Sequence, residues 1–320
     1  MRITYPVPAQ TSSVFVVVTD RTPTDLSSIV PWRMGPSHRR AARDALGTPR
    51  LTLEAFRSAR SPWRRMDLNA EDLRRVRRAR HHVVVTSTAP VEEQPEAAQV
   101  ARAAARGIAE AYHGGLYDPL TGAAVYHCAE CPGERRDFHL GDDWLGWRVS
   151  CADEEHACGL GAAAFEGAGA DADGGCSCLV TTSRGLRRFG LPEITLTGLA
   201  CAHSLCAVTV LRTVAESLLA GHLAWLSTGL LTPCRGVARR LRVAGMDYAV
   251  LSGGADLGSG PFHIPGAEDG SPPGMPDAEG GLLRVRLTPA AATRSCLRLR
   301  PPGGHDGNPH PRHSPGLLVA

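Results

Sequence analysis

Lysine is missing from this chain of 320 residues, and all 35 of the residues counted as Lys or Arg are arginine. Schiff-base catalysis, pyridoxal phosphate anchoring and a Walker P-loop each need a lysine amine, so the composition excludes all three. The first residues, MRITYPVPAQTSS, lack the apolar stretch of a secretory signal, and a cytosolic address is expected. The long apolar run at 203–231 carries Arg212, Glu216 and two histidines, which suits a buried helix better than a membrane span. No G-x-S-x-G elbow, H-E-x-x-H pair or G-x-G-x-x-G loop occurs.

Ala, Gly, Pro and Arg are abundant, the signature of a GC-rich genome, and a net charge of +3 is too small to argue for a polyanionic partner. With hydrophobic residues at 43%, the chain is long enough and apolar enough for a substantial core. In a reducing cytosol its ten cysteines read as thiols or metal ligands rather than disulfides.

Periodicity supplies the architecture. Val14-Phe15-Val16-Val17-Val18 predicts a buried, central strand. Helices are expected around 37–46 and 51–60, separated by Gly47-Thr48-Pro49. A third should start after Asn69, which can cap, with Asp72 three residues on and Leu68 and Leu73 placed as a hydrophobic staple. Residues 81–88 read as a strand and 95–112 as a helix with Ala97, Val100, Ala101, Ala104, Ile108 and Ala111 on one face. A short strand and turn follow at 116–122 with 123–126 as a returning partner, then strands at 144–151, 178–182 and 194–199, an apolar helix at 204–225 with Arg212 and Glu216 paired on its wetter side, and a last strand at 282–287. The pattern predicts an α+β fold, with a mixed or mainly antiparallel sheet packed by two or more helices. One domain is expected over 1–252 with a Cys/His-bearing insertion at about 127–178, a loop-rich extension over 253–300 and a disordered tail over 301–320.

Three patterns bear on chemistry. His127, Cys128, Cys131, Cys151, His156, Cys158, Cys176 and Cys178 crowd one segment, and Cys128-x2-Cys131 with Cys176-x-Cys178 makes a four-thiolate zinc site conceivable. The alternatives are free cysteines in a surface insertion, a redox pair at Cys128 and Cys131, or Cys178 facing the core from the start of a strand. Residues 57–80 hold nine arginines against Asp67, Glu71 and Asp72, which reads as a solvated helix face or, less favoured, a nucleic-acid contact. Cys206 with His203 is the barest Cys/His pair, and its spacing suits capping and packing better than nucleophilic catalysis.

Two segments carry a resemblance. His82-Val83-Val84-Val85-Thr86 leads through an Ala-rich helix to Gly115-Leu116-Tyr117-Asp118-Pro119, and Thr181-Thr182-Ser183-Arg184-Gly185-Leu186 precedes Phe189-Gly190-Leu191-Pro192-Glu193. Together, over roughly 80–225, they resemble a group of uncharacterised bacterial proteins, a domain of unknown function common in high-GC bacteria. The resemblance implies no activity. Its expected site is the turn carrying Arg184 and Glu193, near Asp118, unless those two residues merely pair with each other. The function expected is a soluble cytosolic binding or accessory module without an assignable reaction. Zinc is the one cofactor the spacing permits. A protein partner is open, a nucleic-acid partner is disfavoured, and no membrane partner is expected.

Overall fold

The computed structural model describes residues 2–126, 133–141, 143–152, 178–229, 234–238, 240–243, 246–252 and 282–287. Its fold is α+β. The first half builds a five-stranded antiparallel sheet from β2 (Gln10–Thr19), β3 (Thr52–Arg57), β4 (His81–Pro90), β5 (Gly115–Asp118) and β6 (Ala123–Ala124), in the order β3-β4-β2-β5-β6. The unbroken apolar run in β2 is explained by burial on both faces. Phe15 and Val17 enter the main core, while Val14, Val16 and Val18 join a second cluster under Trp63, Met66, Leu68 and Val76.

The second sheet is mixed: β7 (Gly146–Cys151), β8 (Leu179–Arg184), β9 (Glu193–Leu199), β11 (Arg240–Val243), β12 (Met246–Ser252) and β13 (Leu282–Leu287) lie in the order β11-β12-β13-β9-β8-β7. Only β13 and β9 run parallel. The late strand read from the sequence therefore sits inside this sheet. A separate two-stranded pair joins β1 (Arg2–Pro6) to β10 (Cys234–Ala238). Residues 253–281 and 288–320 lie outside the described residues.

Four helices pack on these sheets among the described residues. α1 (Arg39–Ala45) rests on α3 (Glu96–Tyr112), which covers β2 and β4 on the core side, and α2 (Ala70–Arg78) belongs to the layer on the opposite face of that sheet. α4 (Ser204–Leu226) packs on β8 and β9. It is long and apolar enough to cross a membrane by length and composition, yet Val210, Leu211, Val214, Ala215 and Leu218 are buried in the common core.

Local sequence explains several of these elements. The Asn69 side chain accepts the Asp72 amide at 2.8 Å, as its capping position requires, and Leu68 and Leu73 pack in the same apolar cluster. α3 is buried well beyond the single face expected. Ala98, Gln99, Arg102, Ala103 and Ala105 are covered too, because residues 133–141 and α1 close its far side.

Two expectations are corrected. The helix expected at 51–60 is instead the edge strand β3, whose Leu53 and Phe56 lie opposite Val85 and His82, so tertiary pairing outweighs helix propensity. Arg212 and Glu216 are both exposed and form no ion pair with each other. Arg precedes Glu here, the weaker orientation for an i,i+4 pair.

Candidate metal centre and the buried charge network

The three residues singled out around the β8–β9 turn do come together in one region. Glu193 starts β9 and its carboxylate accepts from Ser183 Oγ at 2.6 Å, from the Gly185 amide at 2.8 Å and from the Arg187 amide at 3.3 Å. Gly185 takes φ 110°, a conformation that suits glycine, and a Cβ there would lie 2.6 Å from the Trp144 carbonyl oxygen. Burial raises the Glu193 carboxyl above its ordinary value, opposed by these hydrogen bonds and by the Arg187 charge.

Arg184 does not pair with Glu193. Its guanidinium donates to Asp67 at 2.8 Å, to the Leu120 carbonyl at 3.2 Å and to the Pro119 carbonyl at 3.1 Å, which clamps the β5–β6 turn. Asp118 caps that turn through the Leu120 amide at 2.9 Å and receives Arg188 Nη2 at 2.5 Å. The three candidates thus form one internal fastening between the two sheets. Arg188 was not singled out by sequence, nor was the second buried pair, Arg102 with Glu134, whose two hydrogen bonds measure 2.8 and 2.7 Å. Arg102 also lies over the Trp144 ring at 3.4 Å. An arginine set among the alanines of α3 was the available signal.

Three further titratable groups with shifted ionisation, His82, His222 and Tyr117, are held by internal partners. His82 Nε2 donates to the Val76 carbonyl at 3.0 Å and Nδ1 accepts from Ser61 Oγ at 2.7 Å, but the ring is fully buried and the same hydroxyl accepts the Trp63 amide. Burial lowers its basicity, so it is a neutral clamp between β4 and α2. His222 is pushed down to about 4 by burial and by the Arg235 charge, and its Nδ1 meets Tyr5 Oη at 3.1 Å. Tyr117 is pushed up to about 12, chiefly by burial, and keeps its proton at neutral pH.

Cysteines at one end of the second sheet make the cluster most suggestive of ligand binding. Cys151 ends β7, Cys178 immediately precedes β8, and Cys201 opens the turn between β9 and α4. The Ala152 amide donates to the Cys178 carbonyl at 2.7 Å, and a bulge between Leu179 and Val180 shifts the β8–β9 register beside them. The three sulfurs lie within 4.8 Å of one another, with Cys178 and Cys201 at 3.4 Å. Tetrahedral zinc with Zn–S bonds of about 2.3 Å spaces its thiolates by roughly 3.8 Å, so a small adjustment would let all three bind one ion. Cys201 is buried, and Cys151 and Cys178 are half-buried against the same apolar core.

Of the four ligands nominated from the sequence, Cys178 is in this group, while Cys128, Cys131 and Cys176 lie outside the described residues. Cys201 opens a Cys201-x4-Cys206 spacing, which was the available signal for it as a ligand. His203 ends the same short turn and Cys206 lies in the first turn of α4.

Residues 57–80 expose all nine of their arginines, with Glu71 paired to Arg75 at 2.6 Å as its spacing suggests. Their one tryptophan, Trp63, is buried beneath them, so this face offers charge without an indole to stack on. The chain matches no protein-family model, no curated protein and no solved structure.

Proposed function

We propose that this chain is a soluble, cytosolic binding or accessory protein whose fold is fastened by zinc held on Cys151, Cys178 and Cys201. The meeting of three thiols from successive strand ends carries the reading. Zinc there would join β7 and β8 to the start of α4, the role of a structural site, with the fourth position left to another donor. Asp118, Arg184 and Glu193 act as an internal fastening in this reading, because their hydrogen-bonding groups are taken up by internal partners. Membership of the uncharacterised high-GC bacterial group belongs to the same proposal and adds no reaction to it.

Elemental analysis of protein purified without chelator tests the reading. About one zinc per chain is expected, with metal and thermal stability lost together in Cys201→Ser and Cys178→Ser. Metal-free protein, or serine variants that keep both metal and melting temperature, would overturn it. The 3.4 Å approach of Cys178 and Cys201 favours one competing reading, an oxidisable pair. In that case the two thiols give two protons and two electrons to glutathione disulfide, forming one S–S bond and two reduced glutathiones. Mass spectrometry would then show the loss of two hydrogens in metal-free protein.

A further inference from the structure

Trp32 is 62% exposed, although buried residues anchor the chain on either side of it: Ile29 at 5%, Val30 at 0% and Met34 at 3%. The indole is therefore presented by an anchored segment. Arg39 adds to the anchoring by donating through Nη2 to the Trp32 carbonyl at 3.3 Å and to the Met34 carbonyl at 3.1 Å.

Beside the indole lies an open cavity of about 470 Å³ lined by Pro31, Trp32, Pro36, Arg39, Arg40 and Arg43. Its volume falls in the range of small-molecule sites. No acid lines it. Arg43 meets only Asp44, at 3.1 Å and with both side chains more than half exposed, and Arg40 makes no hydrogen bond or ion pair among the described residues. Arg39 and Arg43 stand four residues apart on α1, where like charges repel and weaken a short helix. A local arrangement that disfavours its own helix while presenting cations next to an aromatic face is suited to an anionic ligand with a flat ring.

We propose that this cavity binds a nucleotide, with the base stacked on Trp32 and the phosphate held by Arg40 and Arg43. Arg39 positions the loop. Free mononucleotide and a nucleotide within a single strand present the same chemistry, a ring with a phosphate attached. The site is separate from the metal centre. It also lies across the five-stranded sheet from the arginines of residues 57–80, because α1 rests on α3 on the core side of that sheet.

Fluorescence anisotropy of the full chain with a labelled oligothymidylate, and competition by adenosine monophosphate, pyrophosphate and a duplex of equal length, tests the assignment. Saturable binding is expected, weakened about tenfold by Trp32→Ala, which removes the stacking face. Arg40→Gln with Arg43→Gln should flatten the slope of log affinity against log salt by about 0.7 for each phosphate no longer neutralised. All three side chains are exposed, so the melting temperature should not move. Effective competition by the monophosphate assigns the free nucleotide, and oligothymidylate binding that neither the monophosphate nor the duplex displaces assigns the single-stranded polymer. The proposal is overturned by absence of binding at low salt, by pyrophosphate competing as well as the nucleotide with no effect of Trp32→Ala, or by binding lost only when Arg74, Arg75, Arg77 and Arg78 are neutralised.

Discussion

Arg188 Nη2 meets Asp118 Oδ2 at 2.5 Å with 0% and 1% of the two side chains exposed, and the pair ties together turns 70 residues apart in the chain. Arg188 Nε and Nη1 have no acceptor among the described residues, and the guanidinium lies 5.5 Å from the Phe15 ring centroid and 5.4 Å from that of Trp144. The charge is thus compensated by one carboxylate and by ring faces. A buried pair of this kind gains little over an apolar pair, but breaking it on one side is costly.

Asp118→Asn keeps an oxygen for the Leu120 amide and removes the charge facing Arg188. A loss of about 3–5 kcal/mol is expected in urea unfolding. Adding Arg188→Met should restore much of it, since the isolated cation is then gone. A single-variant loss below about 1 kcal/mol would show that the pair is not the fastener between the sheets.

His222 predicts a dependence on acid. Its folded value of about 4 lies below the unfolded 6.5, so the unfolded chain binds the proton more readily in that interval. The contribution is fully present above pH 6.5 and is lost as pH falls through about 4, amounting to about 3 kcal/mol. His82 is depressed in the same direction by burial. Urea titrations from pH 7 to 4 should show this fall, and His222→Gln should reduce it. An unchanged slope in the variant would refute the assignment.

Glu193 has the opposite sign. Its raised folded value means that the folded chain holds the proton better, so its contribution is greatest below the ordinary value of 4.5 and is lost as pH rises through the folded value. Glu193→Gln should remove that decline while keeping an oxygen for the Gly185 amide. Subtracting the variant's pH profile from that of the native chain isolates the effect; a flat difference above pH 4.5 would contradict it.

Local signals made part of this molecule readable. Asn69 and Asp72 announced the start of α2, the alanines of 97–111 announced α3, and the β-branched runs announced β2 and β4. β3 was misread because its residues suit a helix until β4 lies beside them. No element was read over residues 234–252, where β10, β11 and β12 form; β10 obtains its pairing from the first residues of the chain. At the site, Asp118, Arg184 and Glu193 were recognised as neighbours, but their partners were not. Glu193 is held by Ser183 and two backbone amides, interactions that depend on how the turn closes.

The sequence by itself determined the α+β class, the main helices and strands of the core, and the chemistries closed to a chain without lysine, because each rests on composition or on a period a few residues long. Tertiary structure alone decided which cysteines meet, which arginines are buried against carboxylates, and which tryptophan faces outward. Cys151, Cys178 and Cys201 are neighbours only because three strand ends align, with Cys178 and Cys201 23 residues apart in the chain and 3.4 Å apart in space. Coordination, ion pairing and stacking act over a few ångströms, and sheet register sets those distances.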